Sequence, residues 1–431
     1  MENIILITYD SLRADHCGHH GYIRDTTSNM DSMADEGIVF KNAISPASRT
    51  NPSMAGIFTG EHMAFKKQVS DPDISRSHLS QHGTLAESLS SIGYTTGAFN
   101  PNAYASRYYG FDQGFDQYED FLFSSEKYQN LFDKHLSESS IYQTVRNLRN
   151  FIRREEVFRT WESYVDDVEQ WVHNQDPPFF LWIFSLETHF PYLTPRQYRQ
   201  FSSIFDQYYY NWKCNKLIDN LEPEITERTV QKIVDIYDDS ILFADLLLGE
   251  LQERLDSFDP TFVVHGDHGE AFGENKMYGH FYPSLHEENV HVPTIVWGEK
   301  IEDAVIDKPF DLTDLPDLIQ NIAKNNLQAR ELGKEIVVNS DFDGRHNRQI
   351  VSARSKACKC IIEVDSNGDE QINYTIIDNQ NAPNSDDLTS KFRSLEQMCR
   401  RRLNHLNEIQ RIRETSTSIP RNPEKYKTST R

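Results

Sequence analysis

The chain has 431 residues, 66 of them acidic against 44 basic, for a formal net charge of -22. That balance excludes the broad basic patches on which nucleic acids and anionic membrane surfaces dock. It reads as a well-solvated acidic surface, or as adaptation to high salt. Mean hydropathy is -0.64, and no apolar run approaches the ~20 residues of a membrane span. No basic leader with a cleavage site precedes the first predicted strand, and the five cysteines (17, 214, 358, 360 and 399) fall at irregular spacing. Reduced, structural cysteines in a cytoplasmic protein without an integral membrane segment are therefore expected.

In chain order, the apolar run from Asn3 to Tyr9 predicts a buried central strand. Residues 27–37 predict a helix stopped by Gly37, followed by a short strand at Ile38-Val39-Phe40. A turn opens at Thr50 and leads into a short apolar helix to residue 60. Thr84, with Glu87 three residues on and Gly93 at the end, frames a capped amphipathic helix. Strands are predicted at 94–99, 179–186, 261–265 and 292–297, and helices at 161–174 and 226–255. Residues 120–160 read as a helical hairpin or insertion, and 195–225 as aromatic-rich and irregular. From about 340 the pattern alternates around an Asp365-Ser366-Asn367-Gly368-Asp369 turn, predicting an antiparallel hairpin, then a helix over 388–413 and a disordered polar tail over 414–431. The expected fold is α/β: a mixed, mainly parallel sheet between helices (1–335), with a small C-terminal α+β subdomain (336–413).

Two strand ends carry chemistry. The run Phe262-Val263-Val264-His265-Gly266 stops at a glycine and is followed by Asp267-His268-Gly269. The first strand stops at Asp10. Ligands of open α/β sheets bind beyond the carboxyl ends of the strands. An Asp-His pair there offers a hard oxygen and an imidazole nitrogen to a divalent metal, with Asp10 as a third ligand.

Set side by side, several segments resemble the sulfatase-like members of the alkaline phosphatase superfamily. They are NIILITYDSLRADHCGHHGY from Asn3, TNPSMAGIFTG from Thr50, TLAESLSSIGYTT from Thr84, GFDQGFD from Gly110, PPFFLWIFSLETHFPY from Pro177, YDDSILFADLLLGELQERL from Tyr237, GDHGEAFGE from Gly266 and HFYPSLHEENVHVP from His280. They occur in the family's order over roughly residues 3–320. The resemblance implies a metal site of Asp10, Asp267 and His268, completed by Thr50, for Mg, Mn, Ca or Zn. The family's usual second acid is here Ser11. Sulfatases carry Cys or Ser in C-x-P-S-R, nine residues before a Thr-Gly. Thr50-Asn51-Pro52-Ser53-Met54 holds that register relative to Thr59-Gly60. The rival Ser45, in Ser45-Pro46-Ala47-Ser48-Arg49, has both proline and distance wrong.

Threonine does not give formylglycine, and the motif's arginine is replaced by Met54. The resemblance therefore implies that Thr50 attacks phosphorus directly and forms a phospho-threonine. His189 and His280 match the family's substrate and leaving-group histidines. Asn100 and Asn102 stand where sulfatases carry Lys and His, and are expected to donate to a phosphoryl oxygen. The expected activity is metal-dependent hydrolysis or transfer of phosphate esters, diester or phosphonate type, on a small anionic substrate. Sulfate ester hydrolysis without formylglycine is one alternative, and a non-catalytic scaffold is the other. Arg13 reads as supporting, Glu270 and Glu274 as bracing the loop, and His19, His20 and His62 as solvent-exposed. Tyr208, Tyr209, Tyr210, Asn211 and Trp212 read mainly as packing.

Overall fold

The structure is a computed structural model that describes residues 1–63, 72–121, 159–218, 225–344, 346–377 and 385–418. Most of the insertion expected at 120–160, and 419–431 of the expected tail, lie outside the described residues. An eight-stranded sheet forms the centre. Across it run Ala304–Ile306, Ile38–Phe40, Thr294–Trp297, Pro260–Gly266, Asn3–Tyr9, Phe179–Ser185, Thr95–Phe99 and Gln117–Glu119. Only Thr294–Trp297 pairs antiparallel with its neighbours; the other pairings in this sheet are parallel.

The two central strands are buried on both faces, which is why they read as continuous apolar runs rather than alternating ones. Successive side chains point to opposite sides. Ile5, Ile7, Leu181, Ile183 and Val264 pack against the helices Ser28–Glu36, Val165–His173 and Glu227–Leu255. Ile4, Leu6, Phe180, Trp182 and Val263 pack against Thr50–Thr59, Leu85–Ser90 and Leu315–Ala323. The Leu85–Ser90 helix opens on the capping box foreseen from Thr84 and Glu87. Among the described residues no helix is long and apolar enough to cross a membrane, and the five cysteines are free and buried.

The C-terminal part is a four-stranded antiparallel sheet, Val337–Asp343, Arg348–Arg354, Cys358–Val364 and Glu370–Ile376, in that order. The helix Ser385–Ser418 covers one face through Leu395, Cys399, Leu403 and Leu406, at helical spacing. The other face, with Val337, Ile350 and Ile361, packs on Ile44, Leu285 and Val290 of the large domain.

Three expectations need correction. The hairpin is a four-stranded sheet. The last helix runs through Ser418, so residues 414–418 are helical rather than tail. Residues 204–218, expected to be irregular, form a helix. Its inward positions are Gln207, Asn211, Cys214 and Leu217. Gln207 and Asn211 face inward because their side chains accept from the backbone N–H groups of Thr194 and Tyr192, which hides the apolar stripe a helix normally shows.

Candidate active site

The parallel pairing sets the site. The Asn3–Tyr9 strand is flanked by Phe179–Ser185 and Pro260–Gly266 in level register, Tyr9 lying opposite both Ser185 and Gly266. The ladder continues one step, Asp10 N donating to Ser185 O and Asp267 N to Tyr9 O. The two acids thus emerge side by side beyond the strand ends. Ser11 then takes a left-handed turn, φ 58°, and its N–H donates to Asp267 Oδ1 at 3.0 Å.

Asp10, Asp267 and His268 are fully buried, and one ligand atom from each lies within 4.8 Å of the others. His268 Nδ1 is 2.8 Å from Gly269 O. A carbonyl only accepts, so Nδ1 carries the proton and Nε2 presents a lone pair. That bare nitrogen sits 3.6 Å from Asp10 Oδ1 and 3.5 Å from Asp267 Oδ2. Burial, followed by the neighbouring His280, lowers the His268 pKa to about 4, so the ring is neutral at neutral pH. Burial, and then the charge of Asp10, pushes the Asp267 carboxyl well above its ordinary range, and Asp267 Oδ2 has no hydrogen-bond donor. Two buried acids and a proton-free imidazole nitrogen therefore converge, with Ser11 Oγ donating to Asp10 Oδ1 at 2.9 Å. Buried charge of one sign is tolerated only with a counter-charge, and two carboxylate oxygens with an imidazole nitrogen are a hard-cation donor set. The residues present fit a divalent metal.

Thr50 opens its ten-residue helix. Its Oγ1 lies 3.3 Å from His268 Nε2, while the other hydroxyl at the cluster, Ser11 Oγ, donates to Asp10 Oδ1 at 2.9 Å. Ser45 is turned elsewhere, its hydroxyl engaged with Ser53 Oγ at 2.8 Å and with the backbone of Ala47 and Asp267. The His280 ring lies 4.5 Å from His268 and 5.1 Å from His189, centroid to centroid. His280 Nδ1 is 3.1 Å from Glu270 Oε2. Burial lifts Glu270 to about 7 and lowers His280 to about 3, so of the two Glu270 holds a proton more readily. Glu270 belongs to the site itself, rather than merely bracing a loop.

The amides of both asparagines are engaged within the protein. The Asn102 amide donates to Asp10 Oδ2 at 2.6 Å, and its oxygen accepts from Tyr104 N. The Asn100 amide donates to Ala105 O and Tyr118 Oη, and its oxygen accepts from Asn102 N. Both are buried supports, Asn102 of the Asp10 carboxylate and Asn100 of the loop. The histidines expected at the surface are also tied in: His19 to Asp31 with its side chain 4% exposed, and His62 to Asp311. His20 has a buried Nε2. Arg13 bridges Asp15, Glu274 and the carbonyl of Glu270, a role its neighbours in sequence could not reveal.

The fold is that of the alkaline phosphatase superfamily, with its acid and histidine cluster beyond the carboxyl ends of the central strands. The sulfatase family profile matches residues 2–323, and the chain belongs to that family. Over 83 residues it is 30% identical to the phosphoethanolamine transferase EptA of Salmonella typhimurium, a match covering 18% of this chain and 15% of that protein. Over 362 residues it is 24% identical to an ulvan-active sulfatase of Formosa agariphila, covering 79% of this chain and 65% of that protein. These matches span less than two thirds of either relative. The phosphonate monoester hydrolase of Agrobacterium radiobacter is similar in structure, with TM-score 0.60 at 15% identity over 88% of this chain and 89% of that one.

Proposed function

We propose that this protein is a metal-dependent hydrolase or transferase of phosphate esters, diester or phosphonate type, with Thr50 as nucleophile. The observation that carries the reading is the placement of Thr50 Oγ1 against the proton-free face of His268, beside Asp10 and Asp267. Asp10, Asp267 and His268 would hold the metal, with Thr50 beside it. The ion's chemistry is to lower the pKa of a nearby hydroxyl and offset charge on the transferring group.

The Thr50 hydroxyl is aimed at the acceptor nitrogen of His268. The Thr50 hydroxyl gives up its proton to water, its oxygen attacks phosphorus in line, the P–O bond to the leaving alkoxide breaks, and the phosphoryl group rests on Thr50 as an ester. His189 and His280 stand together over the cluster, where the leaving oxygen can take a proton. Water or an acceptor hydroxyl then attacks the phospho-threonine and frees Thr50. The start of the Thr50–Thr59 helix favours the anion being transferred.

The substrate is read as a small anionic ester. We place the protein in the cytoplasm on its five buried free cysteines. A second reading, sulfate ester hydrolysis, is favoured by the family match. The test is turnover of aryl phosphodiester, phosphonate monoester, phosphomonoester and sulfate ester by chelated protein with Mn, Mg, Ca or Zn restored. Diester or phosphonate turnover above sulfate, lost in Thr50→Ala, is expected. Dominant sulfate turnover would establish the second reading, and silence on all four with no metal bound would leave a scaffold.

A further inference from the structure

The site as described has acids and neutral imidazoles but no cation aimed at a substrate anion. Met54, Asn100 and Asn102 are neutral where the family resemblance puts charge. Arg49, directly before Thr50, is differently placed. Its Nη2 donates to Asp341 Oδ1 at 2.7 Å and to Phe342 O at 3.2 Å, while its Nε is buried without a partner. The guanidinium is 21% exposed and Asp341 is fully buried. Arg49 is the N-cap of the helix that Thr50 opens, so its guanidinium is anchored one residue from the proposed nucleophile.

Asp341 comes from the first strand of the C-terminal sheet. It is clamped on its other oxygen by Ser48, whose Oγ donates to Oδ2 at 3.1 Å and accepts from Ser284 N at 3.0 Å. One carboxylate therefore fixes both residues that precede Thr50. An arginine held at one edge by a buried acid keeps its remaining N–H groups in a fixed plane, the geometry that matches tetrahedral oxyanions.

We infer that Arg49 binds the non-bridging oxygens of the ester, and that Asp341 of the C-terminal subdomain positions it. This rests on the reading of Thr50 as nucleophile and supplies the cation that reading lacks.

Inorganic phosphate is the probe, titrated calorimetrically into the full chain loaded with Mn²⁺. Arg49→Ala is expected to weaken phosphate binding about tenfold or more, Arg49→Lys less, and Asp341→Asn by an intermediate factor, since charge-assisted bonds are the strong ones. Mn²⁺ affinity measured without phosphate is expected to stay within about twofold in all three, because neither residue is a metal ligand, and a general loss of structure would move it. If Arg49→Ala does not fold, Arg49→Gln takes its place. Wild-type phosphate affinity in the Arg49 variants, or no phosphate binding by the wild type, overturns the assignment. An effect of Arg49→Ala with none of Asp341→Asn overturns the positioning role. Thr50→Ala keeps the two claims apart: full turnover in that variant defeats the nucleophile reading, whereas the phosphate titrations of the Arg49 and Asp341 variants judge the arginine.

Discussion

Two buried ionic clusters in this protein make opposite bargains. At the strand ends, Asp10 and Asp267 meet with a neutral His268 and no internal cation. At the seam with the C-terminal subdomain, Glu287 receives both Arg354 and Lys359, whose side chains are 1% exposed, at 3.0 and 2.7 Å. Those cations hold the Glu287 carboxyl well below its ordinary range, whereas Asp267 is pushed well above its own. The seam cluster contains its own counter-charges. The strand-end cluster lacks them, and two carboxylates held within 4.8 Å repel by roughly 3 kcal/mol at an effective dielectric of ~20. Acids without a cation mark the candidate site, whereas at the seam an acid is paired with cations.

The sharpest way to break this comparison is Asp267→Asn. Changing an outer-shell partner of a metal ligand costs about 10- to 100-fold, so turnover and Mn²⁺ affinity are expected to fall by more than about a hundredfold here. The metal-free variant should nonetheless be more stable than wild type by roughly 1–3 kcal/mol in urea melts, because the repulsion is gone. A destabilised variant would refute the strained-cluster account. Glu287→Gln should do the reverse, costing about 3–5 kcal/mol by leaving two buried cations unpaired, with Mn²⁺ affinity unchanged. Mn²⁺ at a hundred times its Kd should stabilise wild type and Glu287→Gln by about 2.7 kcal/mol and leave Asp267→Asn unmoved.

The smallest effect is in pH. The folded pKa of Glu287 lies below its ordinary 4.5. Its stabilisation is therefore present above that value and lost as pH falls below it. Wild type should lose about 1 kcal/mol or more between pH 5 and pH 3.5 that Glu287→Gln does not lose; parallel urea midpoints would contradict the pairing.

The sheet was legible because its central strands are apolar on both faces and end abruptly at acids, so Asp10 and Asp267 announced themselves. The Thr84 capping box was equally local. Asn100 and Asn102 misled, since a sequence position does not show that Asp10 and Tyr118 lie within reach of their amides. The helix at 204–218 was hidden because its inward side carries Gln207 and Asn211 for backbone bonding rather than an apolar stripe. The link from Arg49 to Asp341 crosses 292 positions and leaves no local pattern.

The parallel pairing that sets the site also sets when it can exist. Asn3–Tyr9 must find partners at 179–185 and 260–266 before Asp10 and Asp267 stand side by side. Contacts of such sequence separation carry a loop-closure cost and form slowly. If the cluster holds a metal as proposed, its capture is a clock for the end of folding. In a refolding experiment, Mn²⁺ uptake is expected to trail the recovery of helical circular dichroism, and nascent chains shorter than the Pro260–Gly266 strand are expected to capture no metal at this centre.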